Sequence, residues 1–338
     1  MLCERPWAPS SPGRACEPTC GASTGWTLTV SMREPTPSLT IRADATPTTG
    51  AGHVLRSANL AVAWKRSGLG SVTLVGEVAI PFVRARLAEA GVGVRGDLPP
   101  TGREDVLVVD HYSEPVREAC AARADFRLRV LVDDLGGAVP SGVDVVWNPN
   151  AYGEAASYAE FRGQVLAGPE YVPLREGLPE WRSSGASASG VMLGGGKLPE
   201  RLQRALQLVA ERFPDAAWKA AGDGMPRAWE QVEAVQPWTA FARCSRLIAG
   251  AGITMWEAAA VGIPVVVVVM APNQAAAGAW ARIHGVPTVD AVDQERPERL
   301  ADAICAGLAS ARALPRVRNG AGEVVRALMR CPSLRGAS

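Results

Sequence analysis

The chain has 338 residues, with 47% hydrophobic and 20% charged side chains, and 35 Lys and Arg stand against 34 Asp and Glu. That length accommodates two domains of ordinary size, each burying its own core. Near-neutral charge excludes a general polyanion binder and the apolar content excludes a disordered chain, so function has to reside in local sites.

Residues 1–38 read as a disordered leader. They are rich in Pro, Ser, Gly and Cys, and they lack the basic start and continuous apolar core of a secretory signal. Met32 precedes the first strand-like segment, which makes residues 1–31 a candidate upstream extension of the reading frame. Cys3, Cys16 and Cys20 lie in this leader, whereas Cys120, Cys244, Cys305 and Cys331 are scattered singly. The expectation is reduced thiols in a cytoplasmic protein, with neither a zinc site nor a disulfide framework.

From residue 39 strand and helix patterns alternate. Residues 39–44 (LTIRAD) read as a strand, 48–68 as an amphipathic helix behind a glycine pair, 71–76 as a strand, and 80–91 as a helix closed by glycine. A strand over 105–110, a helix over 114–124 and strands over 127–134 and 143–148 follow. Residues 179–190 are small, polar and aperiodic, as expected of a linker. Beyond them the spacing predicts a strand over 190–194, a helix over 199–213, a strand over 216–222, helical material up to Cys244, and a strand over 246–250. A helix over 254–262, a strand over 264–270 and helices over 273–284 and 296–314 complete the pattern. The apolar run at 263–271 (IPVVVVVMA) is too short to cross a bilayer and reads as a buried strand, so no membrane span is expected.

Such alternation implies parallel sheets covered by helices on both faces. The expected organisation is an N-terminal Rossmann-like domain over 39–178, the linker, a C-terminal Rossmann-like domain over 191–320, and a C-terminal helix and tail over 321–338. In doubly wound α/β domains ligands bind beyond the carboxyl ends of the strands, which places the site in a cleft between the halves.

Candidate residues collect at those strand ends. Arg42, Asp44, Gly50, Gly52, His53 and Arg56 fall on the first strand-to-helix connection, where glycines permit close backbone approach and helix amides favour an anion. Val54, Ala58, Leu60, Ala61 and Trp64 supply the buried stripe of that helix, leaving His53 either at the mouth of the cleft or as a helix-start hydrogen-bonding group. The third strand ends in Asp110, His111 and Tyr112, polar groups on a buried strand, although Tyr112 also suits the edge of a core. Asp133 and Asp134 are adjacent, so their side chains diverge along a strand; capping, or orientation of a nearby base, is favoured over a shared cation. In the second half Gly194, Gly195 and Gly196 form a glycine turn without the lysine and hydroxyl ending of a P-loop. Gly252 and Thr254 open a further helix, with Glu257 one turn in, suited to a ribose diol or to a helix-start role. Asn273 and Gln274 begin the next helix, where Asn273 is also a plain N-cap.

The segments IRADATPTTGAGHVLRSANLA, VVDHY, VLVDDL, NPN, LAGPEYVPLR, MLGGGKLPE, GAGITMWEAAAVGIP and APNQAAAGAWARIHGV occur in the order found in the PseG/SpsG family. The chain thus resembles, from about residue 39 to about 290, the UDP-sugar hydrolases of pseudaminic-acid biosynthesis and the related spore-coat polysaccharide proteins. The resemblance implies the GT-B architecture, two doubly wound Rossmann-like domains facing across a cleft. It also implies metal-independent hydrolysis of a UDP-activated amino or deoxy sugar at the anomeric carbon, without a cofactor. It assigns His53, Asp110, Tyr112 and Asn273 to catalysis. Arg42, Asp44, Gly52, Arg56, His111 and Gln274 go to the substrate, and Gly194, Gly195, Gly252, Thr254 and Glu257 to the nucleotide. Two hydroxyls usual in the family are missing, at Gly196 and Ile253. His53 would be the general base on water, since imidazole titrates near neutrality, oriented by Asp110 or another carboxylate. The expected partner is a small-molecule nucleotide sugar, with no nucleic acid; oligomeric state is left open. Two alternatives stand: a glycosyltransferase in which the same base activates an acceptor hydroxyl, and a non-catalytic nucleotide-sugar binding protein.

Overall fold

A computed structural model describes residues 36–98, 104–182 and 187–335. Of the predicted leader, residues 1–35, with Met32 and its three cysteines, lie outside the described residues, as do 183–186 of the predicted linker.

The first half contains β1 (Leu39–Ala43), α1 (Gly52–Arg66), β2 (Val72–Val75), α2 (Pro81–Glu89), β3 (Gly93–Arg95), β4 (Glu104–Asp110), α3 (Glu114–Ala121), β5 (Phe126–Val132), β6 (Val145–Trp147) and β7 (Gln164–Leu166). Its strands form one sheet in the order β3-β2-β1-β4-β5-β6-β7, every pair parallel. The second half contains β8 (Ser189–Met192), α4 (Glu200–Arg212), β9 (Trp218–Ala221), β10 (Glu230–Gln231), α5 (Trp238–Phe241), β11 (Arg246–Gly250), α6 (Ile253–Val261), β12 (Val265–Val269), α7 (Ala275–Ile283), β13 (Thr288–Asp290) and α8 (Pro297–Ala309). Its sheet, also parallel, runs β10-β9-β8-β11-β12-β13. All five residues of β12 are valines buried on both faces, as a central parallel strand covered by helices requires.

Strand order reverses between β1 and β4 in one sheet and between β8 and β11 in the other. At these switch points the connections leave in opposite directions and open a crevice at the carboxyl ends. The segments carrying His53 and Asp110, and those carrying the glycine turn and Thr254, therefore leave the two sheets at their crevices.

The helical material predicted before Cys244 is reduced to the four residues of α5 beside the two-residue β10. Pro226 and Pro237, together with Gly224 at φ +78°, interrupt any helical register there. The short outer strands β3, β7, β10 and β13 carry too few residues to show a period. The predicted linker is anchored at its start: the Trp181 backbone N–H donates to the Val261 carbonyl at 3.0 Å and its indole N–H to the Cys244 carbonyl at 2.9 Å.

The chain passes between the halves twice. Val172 and Leu174 are already buried in the core of the second half. After α8 the chain returns, and the Gly320 N–H donates to the Val172 carbonyl at 2.7 Å while the Leu174 N–H donates to Asn319 Oδ1 at 3.0 Å. The helix α9 (Ala321–Arg330) then inserts Val324, Val325 and Leu328 into the first half's core beside α1, followed by the short α10 (Pro332–Arg335). Among the described residues no helix is long and apolar enough to cross a membrane.

Candidate active site

The connection from β1 to α1 turns at Gly50, whose φ of +76° is open to glycine and strained for other residues. Starting α1 at Gly52 places His53 and Arg56 three residues apart on one helix face. Both reach Asp110, the last residue of β4, which is 1% exposed. His53 Nδ1 lies 2.5 Å from Asp110 Oδ1, and Arg56 donates Nη2 to the same oxygen at 2.6 Å and Nε to Oδ2 at 2.6 Å. Arg56 Nη1 also donates to both oxygens of Asp134, just beyond β5, at 2.9 and 3.0 Å.

These contacts assign the imidazole tautomer. Nδ1 touches a carboxylate oxygen and a guanidinium nitrogen 3.2 Å away; the guanidinium cannot accept a hydrogen bond, so the Nδ1 proton belongs to Asp110. Nε2 then carries the lone pair, and it has no hydrogen-bond partner among the described residues. Burial works to raise the Asp110 pKa, but the Arg56 charge and the hydrogen bonds from Arg56 and His53 outweigh it and hold the carboxyl well below its ordinary range. Arg56 lies between two carboxylates, so the cluster has one surplus negative charge with His53 neutral and none once His53 takes a proton.

The Tyr112 hydroxyl donates to Asp134 Oδ2 at 2.6 Å, and its ring meets the imidazole edge-on, centroids 4.7 Å apart. Burial, reinforced by the Asp134 charge, raises the phenol pKa, so Tyr112 stays a donor. It accepts from Asn273 Nδ2 at 2.9 Å, a bond that bridges the two halves. Asn273 and Gln274 lie in the single 3₁₀ turn Pro272–Gln274 ahead of α7, and Gln274 Oε1 accepts the Met270 N–H at 2.8 Å.

On the other side, Gly194 leaves β8 with φ +109°. The glycine turn lies against the α1 connection: the Lys197 N–H donates to the Pro47 carbonyl at 3.2 Å. A Cβ on Gly195 would come within 2.6 Å of Ala51 Cβ and 2.7 Å of Phe82 Cζ. Glycine at 195 thus permits the close approach of the halves. Gly252 precedes α6 with open space around its α-carbon, Thr254 is buried in the first turn, and Glu257 is buried one turn in. Glu257 accepts from Arg175 Nε at 2.9 Å and from Trp238 Nε1 at 2.6 Å.

One cavity of about 680 Å³ is shared by both sides. His53, Tyr112, Asn273, Gly52, Arg56, Gln274, Gly194, Gly195, Gly252, Thr254 and Glu257 all line it. Asp110 stands behind His53. Arg42, Asp44 and His111, expected to bind substrate, do not line the cavity. Arg42 pairs with both oxygens of Asp44 (2.5 and 2.9 Å), His111 Nε2 donates to Asp44 at 3.0 Å, and His111 Nδ1 accepts the Ser113 N–H at 2.9 Å. Successive side chains at a strand end point to opposite sides, so Asp110 facing α1 turns His111 away.

Asn150, Tyr152, Arg175 and Lys197 line the cavity without having been expected there, and so does Asp134, for which capping or orientation of a nearby base is the expectation from sequence. Asp133 points elsewhere, accepting from the Gly136 N–H, the Tyr158 hydroxyl and Arg117. Among the described residues no three His, Cys, Asp or Glu side chains group as metal ligands.

No family model and no curated protein sequence matches the chain. Solved structures do. S. aureus MnaA bound to UDP superposes with a TM-score of 0.57 at 13% identity, over 88% of this chain and 97% of that one. The spinosyn rhamnosyltransferase SpnG complexed with thymidine diphosphate gives 0.53 at 16% identity, over 88% and 96%. A putative UDP-N-acetylglucosamine 2-epimerase from Listeria monocytogenes gives 0.50 at 11% identity, over 87% and 100%. The fold is GT-B. Within the GT-B frame the cavity lies between two Rossmann-like domains, with the imidazole on the first and the glycine turn and α6 N-terminus on the second.

Proposed function

We propose that the chain hydrolyses a nucleotide sugar at the anomeric carbon, releasing a nucleoside diphosphate and free sugar. The carrying observation is the His53–Asp110 pair, its Nε2 lone pair unused, in the same cavity as two groups suited to a diphosphate. Those groups are the Gly194–Gly196 turn and the first amides of α6. The complexes of MnaA with UDP and of SpnG with thymidine diphosphate, both similar in fold, support a nucleoside diphosphate as the ligand.

In the reaction, water attacks the anomeric carbon from the face opposite the diphosphate and gives its proton to His53 Nε2. The bond to the diphosphate oxygen breaks, and its electron pair leaves on the phosphate, stabilised by the helix amides. The proton taken by His53 cancels the cluster's surplus negative charge. Tyr112 and Asn273 hold the sugar. The ordered motifs support UDP and a diacetamido-trideoxy sugar of the pseudaminic-acid or spore-coat type. The second reading, a glycosyltransferase using the same base on an acceptor hydroxyl, is supported by the likeness to a rhamnosyltransferase.

A panel of UDP-activated and other nucleotide-activated sugars in ¹⁸O-labelled water tests this. Label is expected on the anomeric hydroxyl of the free sugar and none in the nucleotide. His53→Ala should slow turnover by about 10²–10⁴-fold. Undiminished hydrolysis by a folded His53→Ala variant that still binds UDP removes the base from the mechanism. Sugar transfer that needs an added acceptor selects the transferase, and binding without turnover leaves a binding protein.

A further inference from the structure

The proton transfer at His53 leaves one feature of the cavity unused, a line of hydrogen-bonded side chains that joins the base to the second half. Asp134 takes four bonds: two from Arg56 Nη1, one from the Tyr112 hydroxyl, and one from Asn150 Nδ2 at 3.2 Å. Asn150, beyond β6, accepts at Oδ1 from the Trp256 indole N–H at 3.1 Å, and Trp256 belongs to α6. The Asn150 amide is fixed in orientation, because Nδ2 also donates to Asn148 Oδ1 at 3.1 Å and Oδ1 faces a group that only donates. Asp134, Asn150 and Trp256 are all buried, so a displaced member loses the hydrogen-bond partner that the fold holds in place for it.

Asp134 is thus the branch point. One arm reaches Asp110 through Arg56, one reaches Asn273 through Tyr112, and one reaches α6 through Asn150. Both arms that leave through Tyr112 and Asn150 cross to the second half.

We propose that Asp134 is a positioning residue that sets Arg56 and Tyr112 against the His53–Asp110 pair and, through Asn150, registers both to α6. The assignment of α6 to the diphosphate rests on the proposed function; the registration itself does not. A shift of α6 is then felt at the base, and the base is held in line only when the two halves are aligned.

The test uses two substitutions on the full chain. Trp256→Phe keeps an aromatic ring and loses the N–H, and Asp134→Asn keeps the shape and loses the charge. Asn150→Ser breaks the same line should either variant fail to fold. The chain has three histidines, His53, His111 and His284. Their ring nitrogens can be followed by ¹⁵N NMR and assigned with single His→Gln variants. In Trp256→Phe the His53 ring signals should shift, while those of His111, which bonds Asp44 and Ser113, stay in place. With the sugar nucleotide turned over by the wild type, turnover should fall about ten- to a hundredfold while UDP affinity stays within about threefold. The double variant should be little worse than Asp134→Asn alone, as expected of members of one network. Unmoved His53 signals in Trp256→Phe and Asn150→Ser, or additive losses in the double variant, overturn the proposal. If the wild type turns over no sugar nucleotide, the hydrolase reading fails, and the imidazole spectra still decide the positioning role.

Discussion

At His53 the location of a single proton decides what the side chain can do, and Asp110 and Arg56 together decide that location. The depressed pKa of Asp110 has a consequence for stability. An unfolded aspartate titrates near about 3.9; the folded one, held down by Arg56 and His53 against burial, titrates lower. Its contribution is therefore complete above the unfolded value and is lost as pH falls through the folded one. Asp110→Asn should cost about 3–5 kcal/mol at neutral pH, as expected for breaking a buried ion pair. That gap to the wild type should narrow below about pH 4. Urea midpoints measured against pH check both, and a gap that widens in acid contradicts the assignment. At this scale the sequence is partly legible. A scarce histidine behind a glycine turn, and an aspartate ending a buried strand, point to the site. Arg42, Asp44 and His111 do not, because neighbours at a strand end diverge and sequence order does not say which one faces α1. Arg175 was illegible for another reason: its partner Glu257 is 82 positions away, and only the fold brings the two together.

Among elements, the two turns that leave β1 and β8 act as one structure, pressed together at the edge of the cavity. Gly195→Ala should displace the turn, since its Cβ would meet Ala51 and Phe82 far inside contact distance. Relief should cost about 1–3 kcal/mol, read as weaker UDP binding in calorimetry with little change in melting temperature if the halves part slightly. Unchanged UDP affinity would show that the turn plays no part in holding the nucleotide. The helix α4 is legible because it shows its period over thirteen residues, and β12 because it is an unbroken apolar run. Before Cys244 the prolines at 226 and 237 override the helical spacing, and only the four residues of α5 remain helical. The outer strands of two or three residues exist because a neighbouring strand offers them partners, which no local pattern records.

For the molecule as a whole, the alternation of strands and helices predicted two doubly wound units, and the structure has two. The return of the chain to its starting half was not legible: the buried stripe of α9 says that it packs, but not on what. Leu328→Ala, fully buried beside the first sheet's core, should destabilise the protein by about 2–5 kcal/mol in urea unfolding, although residue 328 is distant in sequence from everything it supports. A loss below about 1 kcal/mol would mean that α9 is only loosely attached. The two passages between the halves lie side by side, pinned to each other by Gly320 to Val172 and by Leu174 to Asn319. A single connector would be a swivel, about which one half could twist as well as tilt. Two connectors fastened together form a hinge: twisting is suppressed and opening and closing remain. The alignment of the imidazole with the glycine turn is thereby fixed against twisting by two hydrogen bonds far from either group in sequence.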